Sequence, residues 1–339
     1  MRDALNLEYI HADQAQSRLE SHKGHVLGLV AFGANAVKLR PRMQPEPLCV
    51  NVPVLGGGDV SLEVWTSGNQ VTSCGLGNIK ARTDGRLLFG SLELEQAEGM
   101  ALATLSRQAY LEIFAFVERM RCPHLLRVWN YVPRINEPED GLERYRCFNL
   151  GRHEAFVASA RDISEETVPA ASVVGCGPGP MVIYFLAATQ PGKPVDNPRQ
   201  LTAYRYPEQY GPRSPIFVRA MLARFGRQQC LIVSGTASIV GHETMHKGNA
   251  EQQALETVRN IRMLMEQAYL PRSSGSDGPA AGRTLLKVYV RHAPDLARVR
   301  EHIERVFGPG QQTVYLQSDI CRADLLLEIE GIHFGDTQP

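Results

Sequence analysis

Residues 231–268 read LIVSGTASIVGHETMHKGNAEQQALETVRNIRMLMEQA, and the fold turns on how His242, Glu243 and His246 are read. Together they spell H-E-x-x-H, the zinc-protease pattern. That chemistry needs all five residues on one helix, so that two imidazoles four apart share a face and hold the metal while the glutamate acts as base. The flanking residues predict otherwise. Leu231 to Val240 is a run of β-branched and small residues, a strand, ending at Gly241 just before the motif. Gly248 follows two residues after it. Helical periodicity begins only near Asn249 or Ala250, with Leu255, Val258, Ile261, Met265 and Ala268 on one face. The order is strand, glycine-flanked turn, amphipathic helix, and no metal is expected on the histidines.

Outward from this stretch the pattern repeats. A helix with Leu102, Leu105, Ala109, Ile113, Phe116 and Met120 on one face leads into a strand starting at Leu125, as the later helix leads into a strand starting at Leu285. A helical segment follows each strand, 141–158 and 295–307, and a strongly apolar strand closes each half, Met181 to Ala188 and Leu325 to Ile332. Further strands are expected at about 25–32, 48–54, 60–66 and 86–94, and over about 216–240. The fold class is α/β (α+β), mixed sheets with helices packed on one face, in two modules over 1–190 (with extra N-terminal strands) and 200–339. Thr189 to Gln200, TQPGKPVDNPRQ, reads as the linker, and Arg272 to Gly282 as a mobile loop. The glycine clusters at Gly56–Gly58 and Gly175–Pro180 fit no phosphate-binding fingerprint and read as turns.

Composition narrows the function. The chain has 339 residues, with 36 Lys plus Arg against 36 Asp plus Glu. A balanced chain without a basic run gives no reason to expect nucleic acid or an anionic membrane as partner. The longest apolar run, Met181 to Ala188, is too short to span a bilayer. The N-terminus, MRDALNLEYIHADQAQ, reads as neither a signal nor a transit peptide. Seven cysteines without a C-x-x-C pair read as free thiols in a reducing compartment, and the cytoplasm is the expected location.

Two groups of residues suggest chemistry. Tyr145 and Arg152 are seven apart on the 141–158 helix and share a face, while Tyr206, Tyr210, Arg213 and Arg219 lie in or beside a proline-punctuated loop. Guanidinium forks and phenol donors suit a small dianion, although arginines and tyrosines are more often structural. Glu328 and Glu330, in LLLEIEG, face one way and Leu327 and Ile329 the other. A glutamate on such a strand is either a surface charge or a buried acid with a raised pKa.

SGTAS at 234–238, followed by G-H, H-x-G and Q-x-x-x-E-T-x-x-N, is similar to the RidA (YjgF-type) family. More closely, it resembles the chorismatases built on that fold. YRYPEQYGPRSPIFVRA (204–220), ERYRCFNLGR (143–152) and CRADLLLEIEG (321–331) extend the resemblance over most of 120–335. It implies two RidA/YjgF-like (chorismate-mutase-like) modules and a chorismatase that needs no cofactor, works as a monomer or weak oligomer, and releases pyruvate from chorismate. It implies further that Tyr145, Arg152, Tyr206 and Arg219 contact the substrate, with Tyr210 and Arg213 beside them, and that Glu328 is the catalytic acid. Cys321 and Gly235 resemble the hydroxybenzoate-forming members, so the expected product is 3-hydroxybenzoate, with or without 4-hydroxybenzoate. Glu330 reads as structural or solvent-exposed. The competing readings are a RidA-type enamine or imine deaminase, usually a single short module without the YRYPEQYGPR loop, and a non-catalytic ligand-binding member of the fold.

Overall fold

The protein is described here by a computed structural model covering residues 5–164, 166–268, 282–308 and 311–336. Three sheets carry it. A four-stranded sheet takes the order Leu5–His11, Ser61–Ser67, Val26–Phe32, Leu48–Val50. A six-stranded sheet runs Ala170–Cys176, His124–Pro133, Met181–Ala188, Leu87–Leu94, Ile79–Thr83, Thr72–Leu76. A seven-stranded sheet runs Lys193–Val195, Ala220–Phe225, Gln228–Thr236, Leu327–Asp336, Arg283–Val290, Gln312–Gln317, Val54–Leu55.

The two larger sheets share one pattern. In each, the strand after the long helix pairs in parallel with the strand after the second helix, and antiparallel with the closing apolar strand. Helices Leu102–Arg119 and Arg144–Ala158 belong to the six-stranded sheet, Ala250–Ala268 and Leu296–Phe307 to the seven-stranded one. Every residue of Met181–Ala188 is buried, as expected of a strand covered on both faces. On the seven-stranded sheet, Leu327, Ile329, Leu286 and Val288 pack with Val258, Ile261 and Leu264 of the helix. The opposite face, with Ile232, Tyr289 and Ile332, joins the large core shared with the six-stranded sheet. Glu328 and Glu330 therefore point between the sheets, as their spacing requires.

The H-E-x-x-H segment is a hairpin. Ile239–Val240 pairs with Glu243–Thr244, Gly241 takes φ 58° and His246 φ 56°, and the helix starts at Ala250. A left-handed residue inside the five breaks any shared helical face. Four details differ from the sequence reading. The expected linker holds an edge strand, Lys193–Val195, where Pro194 is tolerated because an edge strand need not donate on its outer side. Val54–Leu55 crosses to the far edge of the seven-stranded sheet. The polar N-terminus forms the strand Leu5–His11, whose alternating burial places Leu5 and Leu7 in the core. On the 250–268 helix Leu255 is only half-buried, and Ala254 and Leu264 fill the interface instead. Most of the loop expected at Arg272 to Gly282 lies outside the described residues. No helix among those described is long and apolar enough to cross a membrane.

Candidate active site

The edge strand Ala170–Cys176 of the six-stranded sheet packs against the seven-stranded sheet beside residue 170, where Ala170 bridges Val218 and Ser234 Oγ accepts from the Ala171 N–H at 3.0 Å. At this seam the strand Gln228–Thr236 bulges: Val233 pairs with Gly331 but Thr236 with Ile329. A bulge re-aims side chains and opens room beside a ladder. Gly235 sits in it, and the space in front of Gly235 is taken by the carboxyl of Glu328. A Cβ at 235 would overlap Glu328 Oε1 and lie 2.7 Å from its Cδ and 3.1 Å from Ser172 Cβ. The resulting pocket is lined by Glu328, Gly235, Ser172, Tyr145, Tyr206, Tyr210, Arg219, Cys321 and Arg322, among others.

Two carboxyls on one strand meet opposite environments. Glu328 is buried, and its Oε1 has no hydrogen-bond partner. Burial, helped by the negative Glu330 nearby and opposed by Arg127, raises its pKa to about 8. Glu330 is equally buried, which alone would raise it too, but Lys287 and Arg127 outweigh burial and hold it below the usual carboxylate range. Its oxygens take Arg127 Nη2 at 2.5 Å, Lys287 Nζ at 2.9 Å, Trp129 Nε1 at 2.8 Å and Ser172 Oγ at 2.8 Å. Lys287 in turn lies 2.5 Å from Glu63 on the four-stranded sheet and 2.7 Å from the Tyr184 hydroxyl. Burial would lower the Lys287 pKa, but Glu330 and Glu63 hold it well above the usual range. Two acids and two bases thus form a neutral buried cluster tying all three sheets together. The reading of Glu330 as structural fits this geometry, while its solvent-exposed alternative is corrected: the residue is 3 % exposed. Neighbouring titratable groups pushed apart in this way are the pattern by which a protein keeps one acid protonated near neutral pH.

Across the pocket from Glu328 stand cations and phenols. Arg219 donates to Tyr206 Oη at 2.8 Å and to the Leu201 carbonyl at 2.5 Å, leaving its buried Nε without a partner. Arg322 lies over the ring of Tyr210, Cζ 3.9 Å from the centroid. Arg146 completes the set, with Glu143 as the opposing carboxylate 3.8 Å from it. With Glu328 neutral, three guanidiniums face one carboxylate. That excess of positive charge suits a dianion.

The expected site residues separate into those the fold gathers and those it does not. Tyr145, Tyr206, Tyr210, Arg219, Gly235, Cys321 and Glu328 all line the pocket. Arg213 does not: it is exposed on the loop. Arg152 is not in the wall either. It is buried behind Ile216, hydrogen-bonded to that carbonyl and 5.1 Å from the Tyr110 ring centroid, with Nε and Nη1 unpaired. The seven-residue spacing puts Tyr145 and Arg152 on one helical face, but the helix runs away from the pocket, so only its first turn reaches it. Arg146 and Arg322 line the pocket instead. Both were visible inside ERYRCFNLGR and CRADLLLEIEG, yet nothing in their spacing set them apart from their neighbours.

Comparison with known proteins identifies the family. A family model described as chorismatase FkbO/Hyg5-like, N-terminal, matches residues 63–187. A 3-hydroxybenzoate synthase of Streptomyces hygroscopicus is 36% identical over 281 residues, 80% of each chain. A chorismatase of Streptomyces rapamycinicus is 41% identical over 253 residues, 72% of this chain and 74% of that one. The chain belongs to the chorismatase family. A chorismatase crystal structure, 31% identical, superimposes with a TM-score of 0.85 over 98% of both chains.

For this chorismatase the remaining wall residue of interest is Cys321. Burial, with a further push from Glu328, raises its thiol to about 12. It therefore faces the pocket as a neutral thiol. No cluster of three or more His, Cys, Asp or Glu side chains placed to hold a metal is found among the described residues.

Proposed function

We propose that this enzyme converts chorismate to pyruvate and a hydroxybenzoate, with Glu328 as the proton donor. The observation that carries the reading is a carboxylic acid held protonated at neutral pH, with a free oxygen, in the wall of a pocket otherwise cationic and aromatic. Chorismate is a dicarboxylate with an enol ether. Arg219 and Arg322 suit its carboxylates, while Tyr145 and Tyr206 supply phenol donors and Tyr210 supplies ring surface. Glu328 delivers its proton to the ether's methylene carbon, a step in which a positioned acid contributes about 10²–10⁴-fold. The carboxylate left behind stabilises the oxocarbenium ion that forms. Cleavage of the ring C–O bond releases pyruvate, and direct loss of the hydrogen from the neighbouring hydroxyl-bearing carbon would leave a 4-hydroxybenzoate. A 3-hydroxybenzoate needs that hydroxyl oxygen, giving up its proton, to bond to the carbon the ether leaves; its old C–O bond then breaks, the oxygen is reprotonated, and the carbon that now bears it loses its hydrogen as the ring becomes aromatic. One proton is delivered and one returned, so Glu328 can recover its acid form within the cycle.

The similarity to a 3-hydroxybenzoate synthase favours 3-hydroxybenzoate as product. The pocket is complete within one chain, which supports activity as a monomer. All seven cysteines are unpaired, which supports a cytoplasmic location. The direct test is incubation with chorismate, following pyruvate enzymatically and the aromatic product by chromatography. Absence of pyruvate would remove the reading.

Two variants refine it. Arg219→Lys replaces a planar fork with a point charge and should weaken substrate binding by about 1–3 kcal/mol, seen as a raised KM. An unchanged KM would take Arg219 out of the carboxylate site. Cys321→Ala should still release pyruvate but change the ratio of hydroxybenzoate to diol-type product. A ratio identical to wild type would make the thiol a packing group only.

A further inference from the structure

The histidine that opens H-E-x-x-H is not idle. His242 stands in the turn of the hairpin Ile239–Val240/Glu243–Thr244, and its Nδ1 shares a hydrogen bond with the Tyr210 hydroxyl at 3.1 Å. The two rings also meet edge to face, 5.7 Å between centroids at 68°. Its backbone carbonyl accepts from Arg322 Nη1 at 2.9 Å. The same residue thus grips, through two different atoms, the two partners of the Arg322–Tyr210 stack. Arg322 is in addition 5.3 Å from the Tyr206 ring, and Tyr206 and Tyr210 lie 5.4 Å apart. Tyr206, Tyr210 and Arg322 all face the pocket, whereas His242 is outside its wall.

We propose that His242 is a positioning residue for substrate binding, which orients Tyr210 over the pocket and so fixes where the Arg322 guanidinium presents itself to a substrate carboxylate. The physical case is entropic. Tyr210 sits in a short 3₁₀ turn, Glu208–Tyr210, on a loop between prolines, and its side chain is only half-buried. Packing alone leaves such a ring free to swing, and Arg322 loses its stacking surface when it does. Holding both in place beforehand spares the substrate the cost of ordering them. A residue acting in this way affects binding far more than the proton transfer at Glu328, which lies deeper in the pocket wall.

The inference rests on the chorismatase reading, and its test separates the two. Wild-type enzyme is assayed first for pyruvate release from chorismate, and failure there concerns the function, not His242. With activity in hand, His242→Ala should raise KM by roughly 3- to 10-fold, the range of one lost hydrogen bond, with kcat within about twofold on the same basis. His242→Asn, whose amide can occupy the place of Nδ1, should recover most of the KM. Tyr210→Phe should reproduce the rise, and the double variant His242→Ala/Tyr210→Phe should exceed the worse single variant by less than about twofold, because both remove the same bond. A KM unchanged in His242→Ala, additive effects in the double variant, or no recovery with asparagine would each overturn the proposal. If His242→Ala melts early, Tyr210→Phe alone decides: an unchanged KM there sinks it.

Discussion

Glu328→Gln is expected to lower turnover at least about 10²-fold while leaving the fold intact. The amide has the shape of the protonated acid but no proton to give. The wild-type enzyme should lose activity as pH rises through about 8, where Glu328 ionises, and whatever activity remains in the variant should lack that limb. Stability supplies an independent check, and its sign is fixed by the direction of the shift. An acid whose folded pKa lies above its ordinary 4.5 favours the folded state fully below 4.5, and that advantage is lost as pH climbs towards about 8. Glu328→Gln cannot ionise, so it should match the wild type near pH 4 and melt at a higher temperature than the wild type near pH 9. Near-normal turnover in a folded variant is incompatible with the general-acid role, and coincident stability curves at both pH values would mean the carboxyl is not held protonated.

Glu330→Gln, two residues along the same strand, should behave in the opposite way. It takes one negative charge from a cluster in which Glu63 and Glu330 balance Arg127 and Lys287 inside the protein. It also turns an –NH₂ group towards donors, since Arg127, Ser172, Lys287 and Trp129 between them point at both carboxylate oxygens. Breaking a buried ion pair from one side costs about 3–5 kcal/mol, because the surviving charge has no water to turn to. Denaturant unfolding at pH 7 should show a loss of that size, and a loss below about 1 kcal/mol would mean that this variant does not break a buried pair in that way. Removing the negative neighbour should also lower the Glu328 pKa, drawing the alkaline limit of activity to lower pH. A limit that stays in place would show that burial alone sets it.

Much of this was written in local sequence. Periodicities near 3.6 and 2 marked the long helices and the apolar strands, because burying one face requires that spacing. Gly241 and Gly248, flanking the zinc motif, were enough to mark it as a turn, because glycines on both sides of so short a segment leave no room for a helical face through it. The quoted motifs also carried the family and most of the pocket, including Tyr145, Tyr206, Tyr210, Arg219, Gly235, Cys321 and Glu328. Local spacing was silent on distance between elements. Nothing near residue 330 says that it will meet Lys287 on the neighbouring strand, Arg127 203 residues away on another sheet and, through Lys287, Glu63 on a third, so Glu330 could as well have been a surface charge. For the same reason nothing in local spacing told Arg146 and Arg322, which line the pocket, from Arg152 and Arg213, which do not. The sequence alone determined which residue types were available and which way each faced along its own strand or helix. Only the tertiary structure decided which of two like carboxyls keeps its proton, because pKa depends on burial and on charges supplied by strands remote in sequence.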